Sequence, residues 1–143
     1  MHSQKRMLFA LIAACLANTC EAAVWIEDDL GGRLGDYIVR FSDVSRSGEQ
    51  VVIDGRCYSS CTTVIGLVPT EKICVTARAI LGFHAALAPD HSGSLVVDPN
   101  ATRLIYNLYP KPVRDWLNMN GGLGARMIYL SGADLTKLYA RCR

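Results

Sequence analysis

The apolar positions of this chain change period as they run. Leu34, Tyr37, Ile38 and Phe41 fall at i, i+3, i+4 and i+7, one face of a helix. The stretch before them, "AVWIEDD", reads as a short strand ending in acids, with "LGG" as the turn between the two. "SRSGE" breaks the helix, and "QVVID" follows with its apolar residues running on without alternation, as in a strand buried on both faces. A strand–helix–strand unit of this kind predicts a parallel pair joined by a right-handed crossover.

After Gly55 the chain turns, and residues 59–67 predict a short helix stopped by Pro69. "KICVT" and "AILGFH" predict two more strands, separated by a turn at Ala77 and Arg78. "ALAPDHSGSLVVDPN" predicts a long irregular loop. Two helices follow: Leu104, Ile105 and Leu108 line the first, while Pro112 sits near the start of the second, whose Val113, Trp116 and Leu117 share a face and whose end fits Gly121. "RMIYL" predicts a last extended segment, and Ser131 with Asp134 resembles a capping box that opens a final helix. The predicted class is α/β, with parallel strands in a βαβ core and helices gathered toward the C-terminus.

Composition adds a boundary. The chain has 143 residues, 50% hydrophobic and 20% charged, which suits one compact domain. Lys5 and Arg6 precede an apolar run at residues 7–17, and "TCEAA" follows, the three-part layout of a secretory signal peptide. The expected product of cleavage after Ala22 is a single domain over residues 23–143, periplasmic or secreted. The apolar run is too short for a stable bilayer span, so no stable membrane anchor is expected. "IAAC", ending at Cys15, gives a lipoprotein signal as the second reading.

Removing residues 1–22 takes away Lys5, Arg6 and Glu21 and leaves a net charge of +1, without the basic face that a nucleic-acid partner would need. It also leaves four of the six cysteines: Cys57, Cys61, Cys74 and Cys142. An even number in an exported chain favours disulfides over a metal site, although the sequence does not choose among the three complete pairings. No phosphate loop, dinucleotide fingerprint or metal-ligand cluster is present, so neither a cofactor nor a metal is expected.

The chemistry centres on "DGRCYSSCTT". Ser59 and Ser60 stand where a strand gives way to a helix, and there two readings share one geometry. Either serine can serve as an N-cap, bonding the first free amides of the helix. A serine at such a turn can also project from the carboxyl edge of a parallel sheet as a nucleophile, with the amide of the next residue at the helix N-terminus to receive an oxyanion. Cys57-x-x-x-Cys61 lacks the spacing of a thiol oxidoreductase, and a bridge near it would rigidify the serine turn. His84, between Phe83 and Ala85, fits a buried structural histidine as well as a general base. His91, beside Asp90 in the polar loop, reads as solvated. Tyr106, Tyr109, Trp116 and Tyr129 read as core and rim packing, part of which could line a groove.

The order "DDLGG", helix, "VVIDG", "GRCYSSC", helix, strand, "ILGFH" resembles the core of the Clp-type serine peptidases within the crotonase-like superfamily. It is especially similar to small exported bacterial members that carry C-x-S-A-C and G-[FV]-H motifs. The resemblance covers roughly residues 24–84 and implies a Clp-protease-like α/β domain. Matched residue by residue, it implies Ser59, four residues past Gly55, as the nucleophile and His84, twenty-five residues further on, as the base. It also implies oxyanion amides at Gly31 or Gly32 together with Ser60. The family's third member is an aspartate just before an "FLS"-like segment. The similar segment here is "MIYLS", in which Met127 and Ile128 hold no carboxylate. Asp134 is then the candidate third member, with Asp90 and Asp115 as substitutes.

Two functions follow. One is an exported serine hydrolase acting on a peptide or ester carbonyl through a Ser59–His84 dyad or incomplete triad. The other is a catalytically inactive, disulfide-stabilised binding domain on the same fold. The oligomeric state is left open.

Overall fold

The computed structural model describes residues 22–143, so the signal predicted over residues 1–22, Ala22 apart, and the lipoprotein reading at Cys15 lie outside the described residues. Strand β1 (Ala23–Asp29), helix α1 (Leu34–Ser47) and strand β2 (Gln50–Tyr58) form the predicted unit, and β1 and β2 pair in parallel. Helix α1 turns Phe41 and Val44 into the core and ends at Gly48, whose φ of 75° is the left-handed conformation that stops a helix. Val51, Val52 and Ile53 of β2 are buried, as their unalternated run predicts. Each such aliphatic side chain contributes about 1.5–3 kcal/mol when withdrawn from water.

Strand β2 is the axis of the sheet. Between Ile26 and Asp28 its register with β1 shifts, so that Glu27 faces both Asp54 and Gly55. A Cβ on Gly55 would come 1.5 Å from the Glu27 carbonyl oxygen, which leaves glycine alone able to fill the bulge. While β1 takes one edge of β2, the other is shared lengthwise. Strand β3 (Ile73–Val75) pairs with residues 51–53, and β4 (Ile80–Phe83) pairs with residues 56–58, both in parallel. The predicted turn at Ala77 and Arg78 separates β3 from β4, and the Thr76 amide donates to the Ile53 carbonyl where the chain steps across. The sheet continues from β3 to the short β8 (Ala140–Arg141) and from β4 to the antiparallel β7 (Ile128–Ser131).

The predicted helix over residues 59–67 is a 3-10 turn, Ser59–Thr63, running into one turn of α-helix, α2 (Val64–Leu67). Helices α3 (Pro99–Leu108) and α4 (Lys111–Met119) bury Ile105, Val113 and Leu117, of which Val113 and Leu117 join the hydrophobic core.

Two expectations are corrected. The segment read as an irregular loop is a hairpin, β5 (Leu87–Pro89) paired with β6 (Leu95–Val97). Asp90 closes its turn by accepting from the amides of Ser92 and Ser94 and from the Ser92 hydroxyl. Those bonds hold the Asp90 carboxyl below the usual carboxylate range, the Ser92 hydroxyl first among them. Leu87, Leu95, Val96 and Val97 are all exposed, so the strands never acquire the one-face burial that alternation reports. Ser131 does precede α5 (Gly132–Leu138), but its side chain makes no capping bond, and Asp134 pairs with Lys137 at 2.7 Å. A capping box calls for the longer Glu or Gln at that position to reach back to the N-cap amide.

The four cysteines form two bridges, Cys57–Cys61 and Cys74–Cys142. The first spans the turn that carries the two serines. The second ties β3 to the C-terminal residues across 68 positions.

Candidate active site

Ser59 is the first residue past β2. With φ of 57° it is the one non-glycine residue among those described that takes the left-handed conformation. A side chain there costs about 1–3 kcal/mol and persists only where the surroundings over-determine it. Those surroundings are visible. The Cys57–Cys61 bridge closes around the turn, and the Thr62 hydroxyl donates to the Ser59 carbonyl at 2.6 Å. Because a carbonyl only accepts, the Thr62 proton is committed to it, and the Tyr109 hydroxyl, also 2.6 Å away, donates to Thr62 Oγ1 in turn. Thr63 repeats the motif one residue on, donating to the Ser60 carbonyl at 2.8 Å. Burial pushes the Tyr109 phenol up to about 12, which keeps it protonated and able to donate.

Gly31 presses against this elbow from the β1–α1 turn. A Cβ there would lie 2.7 Å from both Ser59 Cβ and the Tyr58 carbonyl oxygen, and its φ of 87° independently demands glycine. The register of β2 with β4 sets Tyr58 beside Gly82, which carries His84 alongside the turn. The ring is fixed at both nitrogens: Nε2 lies 2.8 Å from Ser59 Oγ, and Nδ1 lies 2.6 Å from the Ala85 carbonyl oxygen. Since that oxygen cannot donate, Nδ1 of the neutral ring carries the proton and Nε2 offers its lone pair to the serine hydroxyl. The segment is anchored by the Ala85 amide on the Gly124 carbonyl and by the Ala86 amide on Thr102 Oγ1.

The carboxylates weighed as third members are bonded elsewhere. Asp134 holds Lys137, Asp115 holds Lys111, and Asp90 holds its own turn. The nitrogen that an aspartate would orient is held by main chain. The amides weighed for the oxyanion are also engaged, except for that of Ser60. Gly31 donates to Asp29 Oδ1 at 3.0 Å, and Gly32 donates to Ser60 Oγ at 2.7 Å, while the Ser60 hydroxyl donates back to the Gly32 carbonyl at 2.7 Å. The Ser60 amide stands at the start of the 3-10 turn, among those for which helical bonding provides no acceptor. Asp29 is itself a hub, taking the Tyr37 hydroxyl at 2.5 Å and Arg40 at 3.0 Å besides Gly31.

Ser59, Ser60 and His84 meet in a cleft of about 580 Å³ walled by Leu30, Leu34, Leu87, Leu95 and Ile105. The exposed hairpin thus supplies one wall. His91 lies exposed in its turn, away from the cleft lining. Among the described residues no group of three or more His, Cys, Asp or Glu gathers as a metal site. Tyr109, of the aromatic cluster expected to pack in the core with part of it lining a groove, does line the cleft, but its bond to Thr62, and the part Thr62 plays, were not read from the sequence. The threonine's role was available as the i, i+3 spacing within "SSCTT", but the tyrosine, 47 residues further on, carried no local signal.

No family model matches the chain, and no curated protein matches it in sequence. In three dimensions it is similar to a peptidase from Plasmodium falciparum, with a TM-score of 0.51, 8% identity, and coverage of 81% of this chain and 73% of that one. It is also similar to a ClpP1 mutant from Listeria monocytogenes, with a TM-score of 0.39 and 11% identity over 81% of this chain and 86% of that one. At 8% identity, what is shared with the first is the fold alone; in this chain it is the mixed α/β architecture, with the largely parallel sheet, that the sequence predicts.

Proposed function

We infer that the protein is an exported serine hydrolase of peptidase type, with Ser59 as nucleophile and His84 as general base. The observation that carries this reading is the 2.8 Å approach of His84 Nε2 to the hydroxyl of a serine held in a left-handed turn at a cleft floor. Export is supported by the two disulfides, which persist in oxidising compartments. In the first step Nε2 takes the Ser59 proton as Oγ bonds to a peptide or ester carbonyl carbon, and the carbonyl oxygen becomes an oxyanion near the Ser60 amide. Collapse breaks the bond to the amine or alcohol, which leaves with the proton from the imidazolium. Water, deprotonated by the same imidazole, then releases the acid and restores Ser59.

The Ala85 carbonyl sets the tautomer that an aspartate sets in a triad, but without a negative charge to stabilise the imidazolium. Spoiling the triad aspartate costs about 10⁴ in rate, so a slow enzyme is expected. The observation that favours the second reading, a catalytically silent binding domain, is that the Gly31 and Gly32 amides already have acceptors. A fluorophosphonate separates the two. Under oxidising conditions an adduct on Ser59, absent in Ser59→Ala and reduced in His84→Ala, supports the hydrolase; a Ser59 that stays unlabelled both in the wild type and in Ser60→Ala supports the binding domain.

A further inference from the structure

The Ser60 side chain does something the reaction does not require. It is nearly buried, with 8% of its surface exposed, yet it lies on the cleft floor and spends both its hydrogen-bonding capacities on one residue, accepting from the Gly32 amide and donating to the Gly32 carbonyl. A tetrahedral intermediate on Ser59 needs donors aimed at its oxyanion; the resemblance implies the amide of Gly31 or Gly32 as partner to the Ser60 N–H, and of these the Gly31 amide is held by Asp29. On the Gly32 amide a hydroxyl already sits at 2.7 Å.

We propose that the Ser60 hydroxyl is a resident stand-in for the oxyanion: it occupies the Gly32 amide in the free protein and competes with the substrate's carbonyl oxygen for that donor. The inference rests on the hydrolase reading and concerns how that site is regulated. Rotation of Ser60 about its Cα–Cβ bond would break both of its bonds to Gly32 and release the amide. The exchange is unequal before the reaction and favourable during it. A neutral carbonyl oxygen is no better an acceptor than the hydroxyl it displaces, whereas an oxyanion makes a charge-assisted bond roughly twice as strong. The Gly32 amide is therefore withheld from a ground-state ligand and given to the transition state. Gly31 does not share this role, because its amide is held by Asp29, whose oxygens are fixed by Tyr37 and Arg40.

The test compares the oxidised wild-type protein with Ser60→Ala and Ser59→Ala. Each is treated with an alkyl fluorophosphonate, whose phosphorus is attacked by Ser59 Oγ with loss of fluoride, while amide exchange at Gly32 is followed by NMR. Loss of one neutral hydrogen bond corresponds to about fivefold in rate. Ser60→Ala is expected to label at Ser59 about fivefold faster than wild type and to exchange its Gly32 amide faster, with no adduct at residue 59 in Ser59→Ala. Labelling that is unchanged or slower in Ser60→Ala, while the wild type reacts at Ser59, overturns the competition and leaves the hydrolase standing. Failure of both proteins to label removes the hydrolase reading and this inference together. A wild type that stays unlabelled beside a reactive Ser60→Ala is the competition in its strongest form.

Discussion

Tyr109 and Thr62 face each other across the protein's interior with their hydroxyl oxygens 2.6 Å apart, and through Thr62 that contact ends on the carbonyl of Ser59. Helix α3 ends at Leu108, so the tyrosine reaches the serine turn from the helical layer. Removing one hydroxyl strands a buried partner, which costs about 1–3 kcal/mol. Tyr109→Phe and Thr62→Val are each expected to lower the melting temperature and slow labelling of Ser59. The double variant should lose less than the two losses added together, because both act on one chain of bonds. Thermal melts and fluorophosphonate rates on all four proteins check this.

The same tyrosine predicts a pH dependence at alkaline pH. Burial raises the Tyr109 pKa from 10.0 to about 12, so the folded state holds its proton more tightly than the unfolded state does. The resulting stability is fully present below pH 10 and is lost as pH rises through about 12. Tyr139 is shifted in the same direction by burial. In urea melts at increasing pH, Tyr109→Phe should fall less steeply above pH 10 than the wild type.

Ser59 carries its side chain at a φ suited to glycine. Ser59→Gly is expected to relieve roughly 1 kcal/mol of backbone strain and to raise the melting temperature by about 4 °C, with complete loss of labelling. Ser59→Ala removes the nucleophile without relieving the backbone and should melt near the wild-type value.

The two bridges should separate by what their removal damages. Cys74–Cys142 closes a long loop, worth about 4 kcal/mol in the chain-entropy account; Cys57–Cys61, at a separation of 4, closes a short one worth about half that. Cys74→Ser with Cys142→Ser is expected to lower the denaturation midpoint more while leaving Ser59 reactive at low temperature. Cys57→Ser with Cys61→Ser is expected to cost less stability but most of the labelling rate, because it loosens the serine turn. Urea melts and labelling on the same samples check both arms.

Periodicity carried most of the framework. The helical face from Leu34 to Phe41 and the unalternated run at Val51, Val52 and Ile53 correspond to an amphipathic helix and a strand buried on both sides. The hairpin did not register, because Leu87, Leu95, Val96 and Val97 are all exposed, with Leu87 and Leu95 walling the cleft from outside the core, and their order reflects no buried face. The spacing of Ser59 and His84 could be read locally, and their convergence depends on the pairing of β2 with β4. What sequence could not supply were the main-chain partners. Neither the Ala85 carbonyl under His84 nor the Gly32 amide under Ser60 is encoded by its residue type, since every residue brings the same peptide group.

The lengthwise sharing of one edge of β2 has a consequence for what insertions the chain can bear. His84 comes level with Ser59 because four residues, 76–79, carry the chain from the end of β3 to the start of β4. One more amino acid there, if taken up by sliding β4, would advance it by about 3.3 Å and turn each of its side chains to the other surface of the sheet. The imidazole would then face away from the hydroxyl. Length in this small step is thus constrained by the chemistry at the far end of the following strand, and a family of such chains should vary there in composition before it varies in number.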